Sequence, residues 1–239
     1  MLKLLFFVPA FLMLSVSSMS QISSQSECQL RATEIAAAKA SSPFPRDAGH
    51  PSPQWARATA ISFCSDWQGK NAAPERQTTV RALWSQETLY LRFECRYEHL
   101  TVFTDSAPDG RRDHLWDRDV AETFLQPDPS NEHFYKEFEV SPNGMWIDLD
   151  IGSGQLVDLK SGLQRSVVVD EKEQRWFAEL AIPMKALTAK FDPNVTWRVN
   201  FFRVEGVAEP RFYSAWKPTD TEQPNFHVPQ AFGRMRFAP

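Results

Sequence analysis

From Trp55 onward the chain breaks into short runs of alternating apolar and polar residues, separated by clusters of Gly, Pro, Asn and Asp. A period of two is the mark of a strand with one face buried and one wet, and its recurrence at short intervals is the mark of an antiparallel sandwich or barrel. In Leu89-Tyr90-Leu91-Arg92-Phe93-Glu94-Cys95-Arg96 the odd positions are apolar and the even ones mostly polar. The same reading predicts strands over 78–84, 88–97, 119–126, 134–140, 145–151, 164–169, 175–182, 196–204 and 231–237. Ser85-Gln86-Glu87 and Ser141-Pro142-Asn143-Gly144 supply hairpin turns, the second through the positive φ that Asn-Gly readily adopts. A helix is suggested only at Pro183–Leu187, where Pro stands at a helix-starting position and the run spans about one turn. The expected fold is all-β, a two-sheet antiparallel β-sandwich (jelly-roll-like) with a short helical turn.

Residues 1–20 carry one early charge, Lys3, then the apolar block Leu4 to Val16, then small residues. This is the layout of a secretory signal peptide, and the block is shorter than the ~20 residues a membrane-spanning helix needs. The sequence therefore predicts export to a periplasmic or extracellular compartment, with no membrane association of the mature form. Residues 21–54 are polar and punctuated by Pro43, Pro45, Pro51 and Pro53. They read as a leader and linker, with a helical suggestion at Ala36-Ala37-Ala38. Residues 55–239 then form the domain.

A net charge of −4 with interspersed signs leaves no basic stripe for a nucleic-acid backbone. Three cysteines, Cys28, Cys64 and Cys95, leave at least one unpaired after export, and both a Cys64–Cys95 bridge and two separately buried thiols fit the pattern. No cysteine or histidine has metal-ligand spacing.

Aromatic side chains stand out, with 8 Trp and 18 Phe. A sugar ring offers faces of C–H groups to a flat aromatic and an equator of hydroxyls to carboxylates, amides or guanidinium groups. Trp116 suits this chemistry because it follows the polar loop Asp109–His114 and precedes a strand. A plug at the end of the core is an equally good reading from the residues alone. Trp84 and Trp216 are secondary platform candidates. Arg111 and Arg112, in the same loop, could meet hydroxyls or an acidic sugar, or simply face solvent. Glu122 shares strand parity with Trp116, yet a regular strand would set them roughly 20 Å apart at ~3.3 Å per residue. Contact with one sugar then requires the chain to bend after Trp116.

Several segments, in order, resemble the family 9 carbohydrate-binding modules. They are Thr79–Trp84 with Leu89–Phe93, Leu115-Trp116-Asp117-Arg118-Asp119-Val120-Ala121-Glu122-Thr123-Phe124-Leu125, Tyr135–Gly144, Trp176–Pro183, Trp197–Arg203, Ser214-Ala215-Trp216 and Phe226–Gly233. The resemblance implies a sandwich that holds the end of a sugar chain between two aromatic walls. It places Trp116 as one wall, Glu122 as a polar sugar contact, Phe226 where well-studied members carry Trp, and Glu139 where they carry Arg. It also implies a non-catalytic saccharide binder with no cofactor, although such modules can carry structural calcium; no spaced oxygen-ligand loop marks one here.

Two other classes compete. A haem-binding DOMON-like redox domain has a similar sandwich and would draw on Met145, Met184, His133 and His227. A glycoside hydrolase would need two carboxylates in opposed environments, for which Asp119 with Glu122, or Asp148 with Asp150, are the candidates. No Ser-His-Asp order, His-Glu-x-x-His or phosphate-binding loop is present.

Overall fold

A computed structural model describes residues 32–105 and 110–239. Thirteen strands are found among them: β1 (Glu34–Lys39), β2 (Ile61–Phe63), β3 (Thr78–Trp84), β4 (Thr88–Arg96), β5 (Val120–Gln126), β6 (Phe134–Val140), β7 (Trp146–Gly152), β8 (Gln155–Asp158), β9 (Gln164–Asp170), β10 (Arg175–Pro183), β11 (Trp197–Glu205), β12 (Phe212–Ala215) and β13 (Gly233–Phe237). A single four-residue helix, α1 (Met184–Leu187), follows β10. No helix among the described residues is long and apolar enough to cross a membrane. The signal-peptide segment lies outside the described residues.

Two sheets make the sandwich, and β1 is common to both. One runs β8-β7-β6-β5-β11-β13 with β12 also on β11; the other runs β3-β4-β10-β9 with β2 on β3. The first half of β1 pairs with β13 and its end pairs with β3, both in parallel, whereas the other pairings are antiparallel. Ala36–Ala38 is therefore strand, not helix. Alanine's helical preference of a few tenths of a kcal/mol yields to ladder pairing with β13 at Ala36 and Ala37 and with β3 at Ala38.

The alternation drives the packing. Odd positions of β5 (Ala121, Leu125) and even positions of β6 (Phe138, Val140) face the same interior as Leu89, Leu91, Phe93 and Cys95 of β4. Trp176, Trp197 and Trp216 are fully buried there, and truncating such a side chain to Ala costs about 3–5 kcal/mol. Trp216 and Trp84 thus pack in the core, and neither serves as a platform. Cys95 is a free buried thiol whose pKa desolvation pushes up to about 12, and Cys64 is held in a disulfide. A Cys64–Cys95 bridge is excluded, as is the pair of separate thiols.

The outer faces are less wet than alternation implies. Tyr90 and Arg92, on the expected solvent face of β4, are buried. Phe44 stacks on Tyr90 with ring centroids 4.6 Å apart, and Trp55 meets Phe44 edge-on at 5.8 Å. The segment expected to be a leader and linker thus lays aromatic residues across the second sheet. The outer face of the first sheet carries its own apolar cluster, including Leu115, Phe124, Tyr135, Phe202 and Phe226.

Candidate functional site

Register builds the site. On the outer face of the first sheet, Glu122 of β5 lies opposite Glu139 of β6, and Phe124 lies opposite Glu137. Ile147 of β7 continues the first row on one side, and Phe202 of β11 with Ala215 of β12 continues it on the other. Three glutamates and a phenylalanine therefore form a two-by-two patch in the middle of the sheet. Alternation places them on one face; only strand pairing brings them together.

Two segments fold over this patch. His114 adopts a left-handed conformation (φ +54°, ψ +41°), and Leu115–Asp117 follows as a 3-10 turn before the chain re-extends at Arg118. This supplies the bend that the spacing of Trp116 and Glu122 demands. Leu115 is buried as the anchor of the turn, and Trp116 is partly buried at the rim, packed against the outer apolar cluster. Arg211 fixes the turn from the other side, donating from Nη2 to the Trp116 carbonyl at 2.6 Å and from Nε to the Gly206 carbonyl at 3.1 Å. The second segment, Pro224–His227, carries Phe226, whose ring stacks on Phe202 at 4.2 Å and 12°. His227 turns its Nδ1 inward to Tyr135 Oη at 2.8 Å while the residue stays largely exposed; desolvation on the inward side lowers its pKa.

The result is a cleft of about 330 Å³, lined by Trp116, Asp117, Glu122, Phe124, Glu137, Glu139, Leu156, Val204, Arg211, Tyr213 and Pro224 to His227. That lies at the small end of the range for small-molecule sites. A second concavity of about 370 Å³ shares Leu156 and His227 with it, so the surface depression continues past His227.

Trp116, Glu122, Glu139 and Phe226, singled out in the sequence, all meet in this cleft. Arg112 does not line it. Its guanidinium sits 4.0 Å over the Phe103 ring and 3.5 Å from the Asp105 carboxylate, and the chain at Arg112 is tied to the Trp146 carbonyl. Glu137, Arg211 and Tyr213 were missed, and His227, named only as a haem-ligand candidate, lines the cleft as well. Glu137 carries a signal in retrospect, since it shares a strand face with Glu139; Arg211 and Tyr213 come from a loop and edge strand with no motif.

Electrostatics set the floor apart. Glu139 is fully buried, Glu122 is 2% exposed and Glu137 3%. No protein N–H or hydroxyl reaches Glu122 Oε1, Glu137 Oε2 or either carboxylate oxygen of Glu139, and Glu137 and Glu139 bond each other when one of them is protonated. Burial first, and then the neighbouring carboxylates, raise Glu122 and Glu139 well above the usual range; burial raises Glu137 to about 7. Arg203 and Arg211 act on Glu122 only through space. The Arg203 guanidinium is engaged by the Val120 and Val204 carbonyls and by Glu205.

Of the residues named for the competing classes, Glu122 and His227 line this cleft, and the following fall elsewhere. Asp119 is a structural tie, its carboxylate accepting from the Thr101 and Gly206 amides at 3.1 and 2.7 Å. Asp148 accepts from Ser161 N, and Asp150 pairs with Lys136. Met184 packs in the inter-sheet core and Met145 in the outer cluster.

Comparison with known proteins agrees with this architecture. A candidate carbohydrate-binding protein from Bacteroides uniformis superposes with a TM-score of 0.64 at 14% identity, over 85% of this chain and 98% of that one. A family 9 carbohydrate-binding module from Caldicellulosiruptor kristjanssonii, solved with cellotriose, gives 0.61 at 15% identity over 86% and 93%. The same type of module from that organism, solved with glucose, also gives 0.61 at 15%, over 85% and 95%. These likenesses show the fold. An extracellular protein of Arthroderma benhamiae is 26% identical over 184 residues, 69% of this chain and 80% of that protein. The profile of the carbohydrate family 9 binding domain-like family matches residues 48–238, and the chain belongs to that family.

Proposed function

We propose that the protein is an exported, non-catalytic saccharide binder that stacks a sugar ring on Trp116 and meets its hydroxyls with the polar residues beneath. The carrying observation is that Trp116, Phe226 and the Glu122–Glu139 pair, far apart along the chain, line one cleft. An aromatic wall with convergent polar groups is what a sugar's apolar face and polar equator require. Arg211 is a positioning residue in this reading, since it holds the turn that presents Trp116. Phe226 contributes less free ring surface, because one face is stacked on Phe202. The Caldicellulosiruptor modules were solved with cellotriose and glucose, which makes those two sugars the first ligands to try. The apolar block at residues 4–16 and the extracellular relative support export. Three carboxylates on one floor, all with raised pKa values, lack the contrast of acid and base that hydrolysis uses, which favours holding over cleavage.

The test is a glycan array followed by calorimetry, comparing the protein with Trp116→Ala. The variant is expected to bind at least about tenfold more weakly, about 1.4 kcal/mol, with an unchanged melting temperature. If Trp116→Ala unfolds the protein and binding merely follows folding, Trp116 is a core plug and the reading fails.

A further inference from the structure

We propose that Glu122, Glu137 and Glu139 form a site for one hard divalent cation of the calcium class on the floor of the cleft, with hydroxyls of the bound saccharide completing its coordination. This rests on the saccharide reading above and assigns the chemistry of its polar half.

Geometry comes first. One carboxylate oxygen from each of the three residues lies within 4.8 Å of the others. Two oxygens on a calcium ion at about 2.3–2.6 Å can stand up to about 5 Å apart and three around it up to about 4.5 Å, so a small rotamer adjustment brings all three carboxylates onto one ion. The donors are oxygen only, which selects hard cations over those that prefer imidazole or thiolate. Adjacent strands of one sheet hold the three residues, so the cluster is set by the strand ladder.

The second observation is the unmet hydrogen-bonding capacity of the same side chains. Four carboxylate oxygens, both of Glu139 with one each of Glu122 and Glu137, are buried without a protein donor. Buried polar atoms in native proteins are nearly always satisfied, and a buried ionised carboxylate costs several kcal/mol unless a cation or donors offset it. Other buried side-chain atoms also lack a partner, Gln126 Oε1 and Asp148 Oδ1 among them, but among the described residues only Glu139 has both carboxylate oxygens unpartnered, whereas the buried Glu179 is paired with Arg92. The neighbouring Arg211 is already bonded to the Trp116, Arg118 and Gly206 carbonyls. Beyond a proton shared between Glu137 and Glu139, what remains is a ligand arriving through the cleft. Calcium takes about six to eight oxygens, more than this floor supplies monodentately, and the open positions face the concavity beside Trp116. Vicinal hydroxyls of a ring stacked on Trp116 are suitable neutral oxygens.

The experiment uses the full-length protein, stripped with EDTA and titrated with CaCl2 alone, and in parallel with Tb³⁺, whose emission nearby tryptophans sensitise. Saccharide affinity is then measured in calcium and in EDTA. One calcium per chain is expected, weakened at least about tenfold in both Glu122→Gln and Glu139→Gln, together with a loss of at least about tenfold in saccharide affinity in EDTA. Two variants are used so that one that misfolds, judged by circular dichroism, leaves the other to decide. No calcium uptake at about 10 mM, beyond the weak end of extracellular calcium modules, overturns the proposal. So does uptake that both substitutions leave unchanged. Equal saccharide affinity in EDTA overturns the shared coordination while leaving the saccharide reading intact. Carboxylate-dependent calcium uptake with no glycan bound supports the cation site and sinks the saccharide reading. Glucosamine oligomers bound in EDTA through Glu139 would overturn the proposal by assigning the carboxylates to an ammonium group.

Discussion

Glu179 and Glu139 are strand carboxylates of nearly zero exposure, one on each sheet, and they are buried on different terms. Arg92 donates to Glu179 Oε1 at 2.6 Å, and the Asp47 amide donates to Oε2 at 3.1 Å. Glu139 receives no protein donor and lies among Glu122 and Glu137. The covering segments explain the difference. Residues 44–58 close over the pair with the Asp47 amide donating to Glu179, the Ala48 carbonyl accepting from Arg92, and apolar rings. The segments over Glu139, Leu115–Asp117 and Pro224–His227, stop short of it and leave a cleft. A buried acid with a partner is part of the fold, while three without one mark a place where the fold leaves room for something else.

This contrast can be broken most forcefully at its satisfied end. Arg92→Ala leaves Glu179 buried without its cation and is expected to cost about 3–5 kcal/mol in urea denaturation. A loss under about 1 kcal/mol would mean that the pair is well hydrated and the comparison fails.

The next effect is one of pH. In the cation-free protein the folded-state pKa values of Glu122, Glu137 and Glu139 lie above their unfolded values, so the folded state binds more protons than the unfolded one between the two. Stability should therefore rise as pH falls from about 7, the Glu137 value, toward 4.5, the ordinary value of a glutamate, by on the order of 2–3 kcal/mol from Glu137 alone. The charged groups acting on these acids are one another, Asp117, Arg203 and Arg211. Thermal melts in EDTA at about pH 8 and pH 5 give the sign, and saturating calcium should reduce the slope. A protein that melts higher at the alkaline end in EDTA contradicts the assignment.

Glu139→Gln should raise the stability of the cation-free protein at about pH 8 by about 1 kcal/mol, since it removes the cost of burying or protonating an uncompensated carboxylate without changing shape. The corresponding Glu179→Gln should lose stability. If the two substitutions change stability in the same direction, the distinction between the sheets is wrong. The smallest effect expected is from Tyr135→Phe, which removes the hydrogen bond to His227 Nδ1 and should cost about 0.5–1 kcal/mol by melting. A larger loss in saccharide affinity than in stability would extend the binding surface past His227.

Much of the framework was legible in the chain. Strands β3 and β6 were predicted to the residue, and β4, β5, β7, β9, β10 and β11 to within a residue or two, because period-two alternation reports burial directly. Strands β1, β2, β8 and β12 were not read. β1 is half alanine, β2 and β12 are short, and β8 is exposed at all four positions, so none shows the pattern. Trp116, Glu122, Glu139 and Phe226 could be named through family resemblance. Their grouping depended on a 3-10 turn entered through a left-handed His114, which no local preference announces.

The sequence by itself determined which residues face inward along each strand, where the hairpins turn and which family the chain resembles, since these follow from side-chain period, turn chemistry and local motif. Only the tertiary structure decided that Glu122, Glu137 and Glu139 meet, that Arg112 stands apart, and that the N-terminal segment seals one sheet while the other keeps a cleft. Cross-strand register and the packing of distant loops are set by the whole core, and a window of neighbouring residues carries no record of either.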